Sequence, residues 1–345
     1  MIHILILSKI MNYLNNFFIY KEFFIPMISI INFNKKYIII NFLLLIIFYI
    51  YNGLQKKEII KIALCTMGKK ENLYAKEFID YYMKLGVDHM FIYDNNEPFT
   101  EKIEDVLDNK YKNKITIYKT HNLNISHQTQ SFTNCYRNNL KKYDWFIMVD
   151  MDEYLFIIND TLKNYLMNEK FHKCDFIKIH WADTRDNNLL YYDPRPLFER
   201  FKKPYIKSIY IKSIIRGNIP NLTYWVHSPK ISPIKNITCT NEGNIINYTN
   251  INFEKIYNIN TNKAYIIHFI YKSTEEFINK FRRGYSYWFG KNINRVLLGK
   301  VANYLEESGI TLDKINYLEK ELKLNLSLFR SKIYFNNINK TLYIY

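Results

Sequence analysis

Trp145-Phe-Ile-Met-Val-Asp150-Met-Asp152-Glu153-Tyr-Leu-Phe156 is an apolar run that meets three carboxylates within four residues. A short apolar run rich in aromatic and branched side chains reads as a strand buried on both faces. Asp150 and Asp152 stand two apart, so on a strand they share a face, where like charges repel unless a cation lies between them. Hard oxygen donors suit Mg²⁺ or Mn²⁺, which in phosphate chemistry take one or two protein carboxylates and leave the other positions to water and substrate phosphate. An isolated Asp-x-Asp also fits a solvated turn. The apolar lead-in and the added Glu153 favour a metal site.

Upstream of this run the pattern alternates between strand and helix. Ile59 to Thr66 reads as a strand and Gly68 to Asn72 as a polar loop, followed by helical spacing from Leu73 to Leu85 that Gly86 stops. Val87 to Tyr93 reads as a second strand, Ile103 to Leu107 as a short helix and Lys114 to Tyr118 as a third strand. Gln128 to Lys142 reads as a helix, and Trp145 to Asp150 as the fourth strand. This order predicts an α/β fold with a mainly parallel sheet flanked by helices, whose ligands bind beyond the carboxyl ends of the strands. Asp94 and Asp150 both sit at such ends. Asp94 fits a nucleoside contact, and Asp94-Asn95-Asn96 fits equally well a turn.

The chain has 345 residues, 48% of them hydrophobic, enough to build a core. Its 48 Lys and Arg against 32 Asp and Glu give a net charge of +16. No long basic block accompanies that charge, so a nucleic-acid partner is not expected. Cys65, Cys135, Cys174 and Cys239 form no CxxC pair, which argues against zinc, and they leave three pairings open. Residues 37–51 read YIIINFLLLIIFYIY between Lys35-Lys36 and Lys56-Lys57. A bilayer span needs about 17 to 25 apolar residues, so 37–54 is expected to be a single-pass membrane anchor after a tail at 1–36. Similar flanking charge on both sides leaves its orientation open. Residues 241–263 are Asn-rich and expected to be irregular, 285–289 form an aromatic cluster, and 301–328 have helical spacing.

Several blocks in order resemble glycosyltransferase family 92 and the related family-2-like glycosyltransferases. They are Lys70-Glu71-Asn72, Phe78 to Tyr82, Leu85-Gly86-Val87 and Phe91 to Asn95, then Gln128, Cys135 and Trp145 to Leu155. Pro196 to Phe201, Lys212 to Arg216, Val226-His227 and His268 to Phe277 follow in the same order. The resemblance covers about residues 59 to 290 and implies a GT-A fold there, with 291–345 as a helical C-terminal extension. It also implies transfer of a hexose, galactose first, from a UDP-sugar to a glycan or glycolipid acceptor hydroxyl, with inversion. The domain would be lumenal in a Golgi-type topology if the source is eukaryotic. The alternative is a membrane-tethered sugar-binding protein of the same fold without turnover.

Under this resemblance Asp150, Asp152 and His268 are the metal ligands. Asp94, Asp150, Arg216 and Lys272 are the donor contacts, with Lys212 a further cation for the diphosphate. Inversion needs a carboxylate base on the acceptor side. Glu199 stands first by its position, with Asp183 and Asp186 behind it.

Overall fold

The computed structural model describes Ile46 and residues 60–120, 127–202, 205–230, 236–246, 255–283 and 293–333. The tail, the 37–54 segment apart from the helical Ile46, and the 285–289 cluster lie outside the described residues. Among the described residues no helix is long and apolar enough to cross a membrane. A compact unit begins at Ile60.

Its strands are β1 (Ile62–Gly68), β2 (His89–Asp94), β3 (Ile115–Lys119), β4 (Trp145–Met148), β5 (Glu153–Ile157), β6 (Phe176–Asp183), β7 (Ile206–Arg216), β8 (Thr238–Thr240) and β9 (Ala264–His268). Its α-helices are α1 (Asn72–Leu85), α2 (His127–Asn139), α3 (Leu162–Leu166), α4 (Leu197–Arg200), α5 (Thr274–Arg282), α6 (Ile293–Ser308) and α7 (Leu312–Leu322). The strands form one curled sheet in the order β3-β2-β1-β4-β7-β6-β9-β5, with β8 branching from β6.

The four strands expected from the sequence do make a parallel block, with β1 between β2 and β4 and with β3 beyond β2. Past β4 the sheet becomes mixed, although β6 pairs parallel with β8 and with β9, so that five of the eight strand pairings among the described residues are parallel. β7 pairs antiparallel with β4 and with β6, and β5 pairs antiparallel with β9, so the fold is mixed α/β. Strand-helix alternation implies parallel crossovers only while it lasts. It ends at β4, where a turn and not a crossover helix leads into β5.

Alternate residues of β1 enter different cores. Ile62 and Leu64 pack with Phe78 and Tyr82 of α1, while Ala63 and Cys65 pack with Phe132 and Tyr136 of α2. Burial on both faces is why the strand reads as an unbroken apolar run. Helix α1 buries Tyr74, Ala75, Phe78, Ile79 and Tyr82 along one face and ends at Gly86, whose φ of 108° suits glycine. A third cluster joins Phe277 and Phe281 of α5 to Tyr304 of α6 and Leu318 of α7. Cys65–Cys135 ties β1 to α2, and Cys174–Cys239 ties the entry of β6 to β8.

Candidate active site

β4 stops at Met148 and β5 starts at Glu153, so Asp150 and Asp152 occupy the intervening turn and do not share a strand face. The Glu153 amide donates to the Asp150 carbonyl at 3.0 Å and closes the turn. Met151, between the two aspartates, packs on Gly68 at the end of β1, where a Cβ would lie 2.3 Å from the Met151 sulfur. Glycine at that point lets the turn sit down on the sheet.

Each aspartate is matched with its own lysine. Asp150 accepts from the Gln128 amide and, at 2.9 Å, from Lys212 Nζ. Lys212 is buried beneath the turn, 3.5 Å from Glu153 Oε1, and it also donates to the Val226 carbonyl at 3.1 Å. Asp152 Oδ2 accepts from Lys280 Nζ at 2.7 Å, while its Oδ1 lies 3.9 Å from His268 Nε2. Strand register brings the histidine there, since His268 is opposite Glu153 on β5 and opposite Asp183 on β6. Asp183 Oδ1 lies 3.0 Å from His268 Nδ1. A carboxylate can only accept, so Nδ1 is the donor and Nε2 is turned toward Asp152.

Burial works against charge on Asp152, but the Lys280 ammonium beside it, with His268 and Lys272 adding to the effect, outweighs burial and holds the carboxyl far below its ordinary range. Burial raises the Glu153 carboxyl; Lys212 pulls against the rise, while Asp150 and Asp152 add to it. Burial opposes charge on Lys212 as well, yet Asp150 and Glu153 carry that ammonium above its usual value.

Beside this group a cleft of about 470 Å³ opens between the start of α1 and α5, lined by Lys70, Glu71, Tyr74, Lys272, Lys280, Arg282 and Arg283 among others. Glu71 pairs with Lys272 at 3.3 Å and with Arg283, and Lys272 lies over the Tyr74 ring at 4.0 Å. Burial raises Glu71, but Lys272 and Arg283 more than offset it and hold the carboxyl low. Lys280 lines the cleft and also holds Asp152, so the two features meet at one ammonium.

Residues 60–292 match the family model of glycosyltransferase family 92. The chain belongs to that family. Over 119 residues it is 29% identical to a glycosyltransferase family 92 protein of Oryza sativa subsp. japonica, covering 34% of this chain and 20% of that protein. Over 119 residues it is 26% identical to one of Ricinus communis, covering 32% and 21% of the two chains. The match therefore spans about a fifth of these curated relatives. Among solved structures, S. aureus TarS 1-349 aligns with TM-score 0.28 and 14% identity, over 45% of this chain and 47% of that one. HddC from Yersinia pseudotuberculosis aligns with TM-score 0.26 and 12% identity, over 60% and 76%. At such scores the likeness carries no weight.

The family 92 domain gathers some of the expected residues and scatters others. Asp150, Asp152, His268, Asp183 and Lys272 fall in the turn, the adjoining strand ends and the cleft. Lys212, expected as a further cation for the diphosphate, is instead buried as the partner of Asp150. Asp94 is buried, with its two oxygens taken by the backbone amides of Asn96 and Ile103 at 2.9 Å each, which is the turn role. Arg216 pairs with Trp145 at the opposite end of β4 from Asp150 and donates to the carbonyls of Phe171, His172 and Cys174. Glu199 points to solvent on α4, while its neighbour Arg200 is the buried partner of Glu276. Asp186 is locked against Lys314 at 2.7 Å and the Tyr304 hydroxyl.

The sequence assigns no role to Lys280 or Arg283, and it marks Glu71 only as part of the Lys70-Glu71-Asn72 block. Glu276, Lys280 and Arg283 recur at spacings of four and three in the α5 region, a polar stripe on one helix face that was there to be read.

Among the described residues no three His, Cys, Asp or Glu side chains converge as a closed metal site. Donor chemistry nevertheless fits a divalent cation at Asp152 and His268. They offer an oxygen and a nitrogen facing across 3.9 Å, with the imidazole fixed by a carboxylate on its other nitrogen. Asp150, occupied by Gln128 and Lys212, does not belong to that pair.

Proposed function

We propose that this family 92 member transfers a hexose, galactose first, from a UDP-sugar to a hydroxyl of a glycan or glycolipid, inverting the anomeric centre. The observation that carries the reading is the meeting of the Asp152–His268 pair with a cationic cleft through the shared Lys280. Lys272, Lys280 and Arg283 are the cations suited to a diphosphate, whose charge grows as the bond from its oxygen to the sugar C1 breaks. Mn²⁺ or Mg²⁺ held by Asp152 and His268 would supply further electrophilic stabilisation of that leaving group. The acceptor oxygen forms the new bond to C1 and gives its proton to a carboxylate. Of the three candidate bases only Asp183 reaches this group, since Glu199 faces solvent and Asp186 is locked by Lys314.

The 37–54 segment would anchor the enzyme, with the catalytic domain on the lumenal or exterior side. Two buried disulfides support that side, because such bridges persist in oxidising compartments.

The test is turnover of a UDP-hexose panel by the full chain in detergent, with Mn²⁺, Mg²⁺ or chelator, beside Asp152→Asn. Metal-dependent transfer that falls by about 10²-fold in the variant would support the reading. Donor binding without transfer to any acceptor would favour the sugar-binding alternative, and absence of donor binding would overturn the transferase reading.

A further inference from the structure

On the Oδ1 side of Asp152, beyond His268, the sheet carries an aromatic group that the donor chemistry does not use. The Trp181 ring lies 4.2 Å from His268, 5.4 Å from Tyr210 and 5.1 Å from His227. A break in register puts them together. His180 pairs with Ile211 and Ala182 with Lys207, so Ser208, Ile209 and Tyr210 of β7 all stand opposite Trp181 alone. Irregularities of this kind re-aim side chains at sites. Trp181 is 8% exposed, while Tyr210 and His227 are half-buried and keep accessible surface.

Two buried polar atoms in this group have no partner, Trp181 Nε1 and His227 Nδ1. A neutral imidazole carries one N–H and one lone pair, whereas an indole N–H only donates. An orphan indole donor and an orphan imidazole nitrogen thus sit in one aromatic box, each costing about 1–3 kcal/mol if left unmade. A sugar hydroxyl both donates and accepts, and the C–H face of a pyranose packs on aromatic rings.

We propose that Trp181, Tyr210 and His227 form the acceptor subsite and bind a pyranosyl residue, stacked on the rings and hydrogen-bonded to Trp181 Nε1 and His227 Nδ1. The proposal rests on the glycosyltransferase reading and deepens it. The cationic cleft takes the donor diphosphate from the Lys280 side, and the box presents the acceptor from the His268 side. Asp183, two residues beyond Trp181 on β6, lies at the border of the two.

The experiment is a steady-state comparison of the full chain with Tyr210→Ala, His227→Ala and Trp181→Phe, varying acceptor and donor separately. Loss of one hydrogen bond or of the stacking face raises the acceptor KM about tenfold, with the donor KM within about twofold of wild type. An unchanged acceptor KM in Tyr210→Ala and His227→Ala, or a donor KM that rises equally, overturns the proposal. Both residues are half-buried, so these variants keep the test alive if Trp181→Phe does not fold. Saturation-transfer NMR with methyl pyranosides separates the two readings when no turnover is found. Pyranoside binding by wild type that disappears in Tyr210→Ala sustains the subsite although the transferase reading has failed; binding that persists in the variant, or none in wild type, removes it.

Discussion

Asp186→Asn separates a catalytic base from a structural pin. The Asp186 carboxylate is fully buried, 2.7 Å from Lys314 Nζ, and accepts from the Tyr304 hydroxyl and, at 3.0 Å, from the Asn188 amide. It therefore ties the loop after β6 to both α6 and α7. The asparagine keeps the shape and removes the charge, leaving the ammonium of Lys314, itself 2% exposed, with the Ser308 and Gly309 carbonyls at 2.8 and 3.1 Å. An uncompensated buried charge costs about 3–5 kcal/mol, and because two carbonyls still solvate this ammonium the loss falls near about 3 kcal/mol. For a unit running from Ile60 to Tyr345 the unfolding entropy is about 0.6 kcal/mol/K, so that loss lowers Tm by about 5 °C. The double variant Asp186→Leu/Lys314→Met removes both charges and should recover most of the loss, since well-packed apolar replacements of buried pairs are often neutral. Urea and thermal unfolding of wild type, single and double variants measure these differences. An Asp186→Asn protein that melts with wild type while losing sugar transfer would refute the pin and return Asp186 to the role of base.

Two further predictions follow from buried groups away from the site. Lys178, buried against the Ser213 and Ser228 hydroxyls, is pushed down to about 7 by burial alone. The unfolded lysine titrates near about 10.4, so between these values the unfolded chain binds the extra proton and stability rises with pH, by up to about 1.4 kcal/mol per unit. Lys178→Met should flatten the stability profile between about pH 7 and 10, and identical slopes in the two proteins would contradict the assignment. The disulfides close loops with separations of 70 and 65 residues, and chain entropy assigns each about 4 kcal/mol. In urea without reductant no thiol should react, Cys65→Ala/Cys135→Ala should lower the urea midpoint, and four reactive thiols in the unreduced wild type would disprove both bridges.

What was legible in the sequence follows from where each signal is local. The parallel block could be read because β1, β2 and β4 are buried on both faces, which writes burial as a continuous apolar run. The same signal misled at its end. Val149 and Met151 extend the apolar pattern past Met148, but they are buried in a turn, Met151 against Gly68, so the two aspartates diverge instead of sharing a strand face. β6 and β7 were hidden by polar residues that sit inside, Lys178 and His180 on one strand and Lys212 and Ser213 on the other. Their partners come from loops distant in sequence, as with Ser228 for Lys178 and Asp150 for Lys212.

The lysines carry the same lesson into the site. In a chain with 48 Lys and Arg, most lysines read as solvated surface. Lys178, Lys212 and Lys314 are nevertheless almost wholly buried, and Lys212, Lys272, Lys280 and Lys314 are matched with Asp150, Glu71, Asp152 and Asp186 respectively. A carboxylate at the end of an apolar strand declares itself through its neighbours in sequence, because burial there demands a counter-charge. The lysine that answers it comes from another strand or helix and leaves no local trace. Of the acids singled out in the sequence, Asp152 is left facing His268, while Asp186, with Lys314 beneath it, is closed off. Which conspicuous acid can do chemistry is therefore decided by its cationic partner and what that partner leaves uncovered, and only the tertiary fold supplies that information.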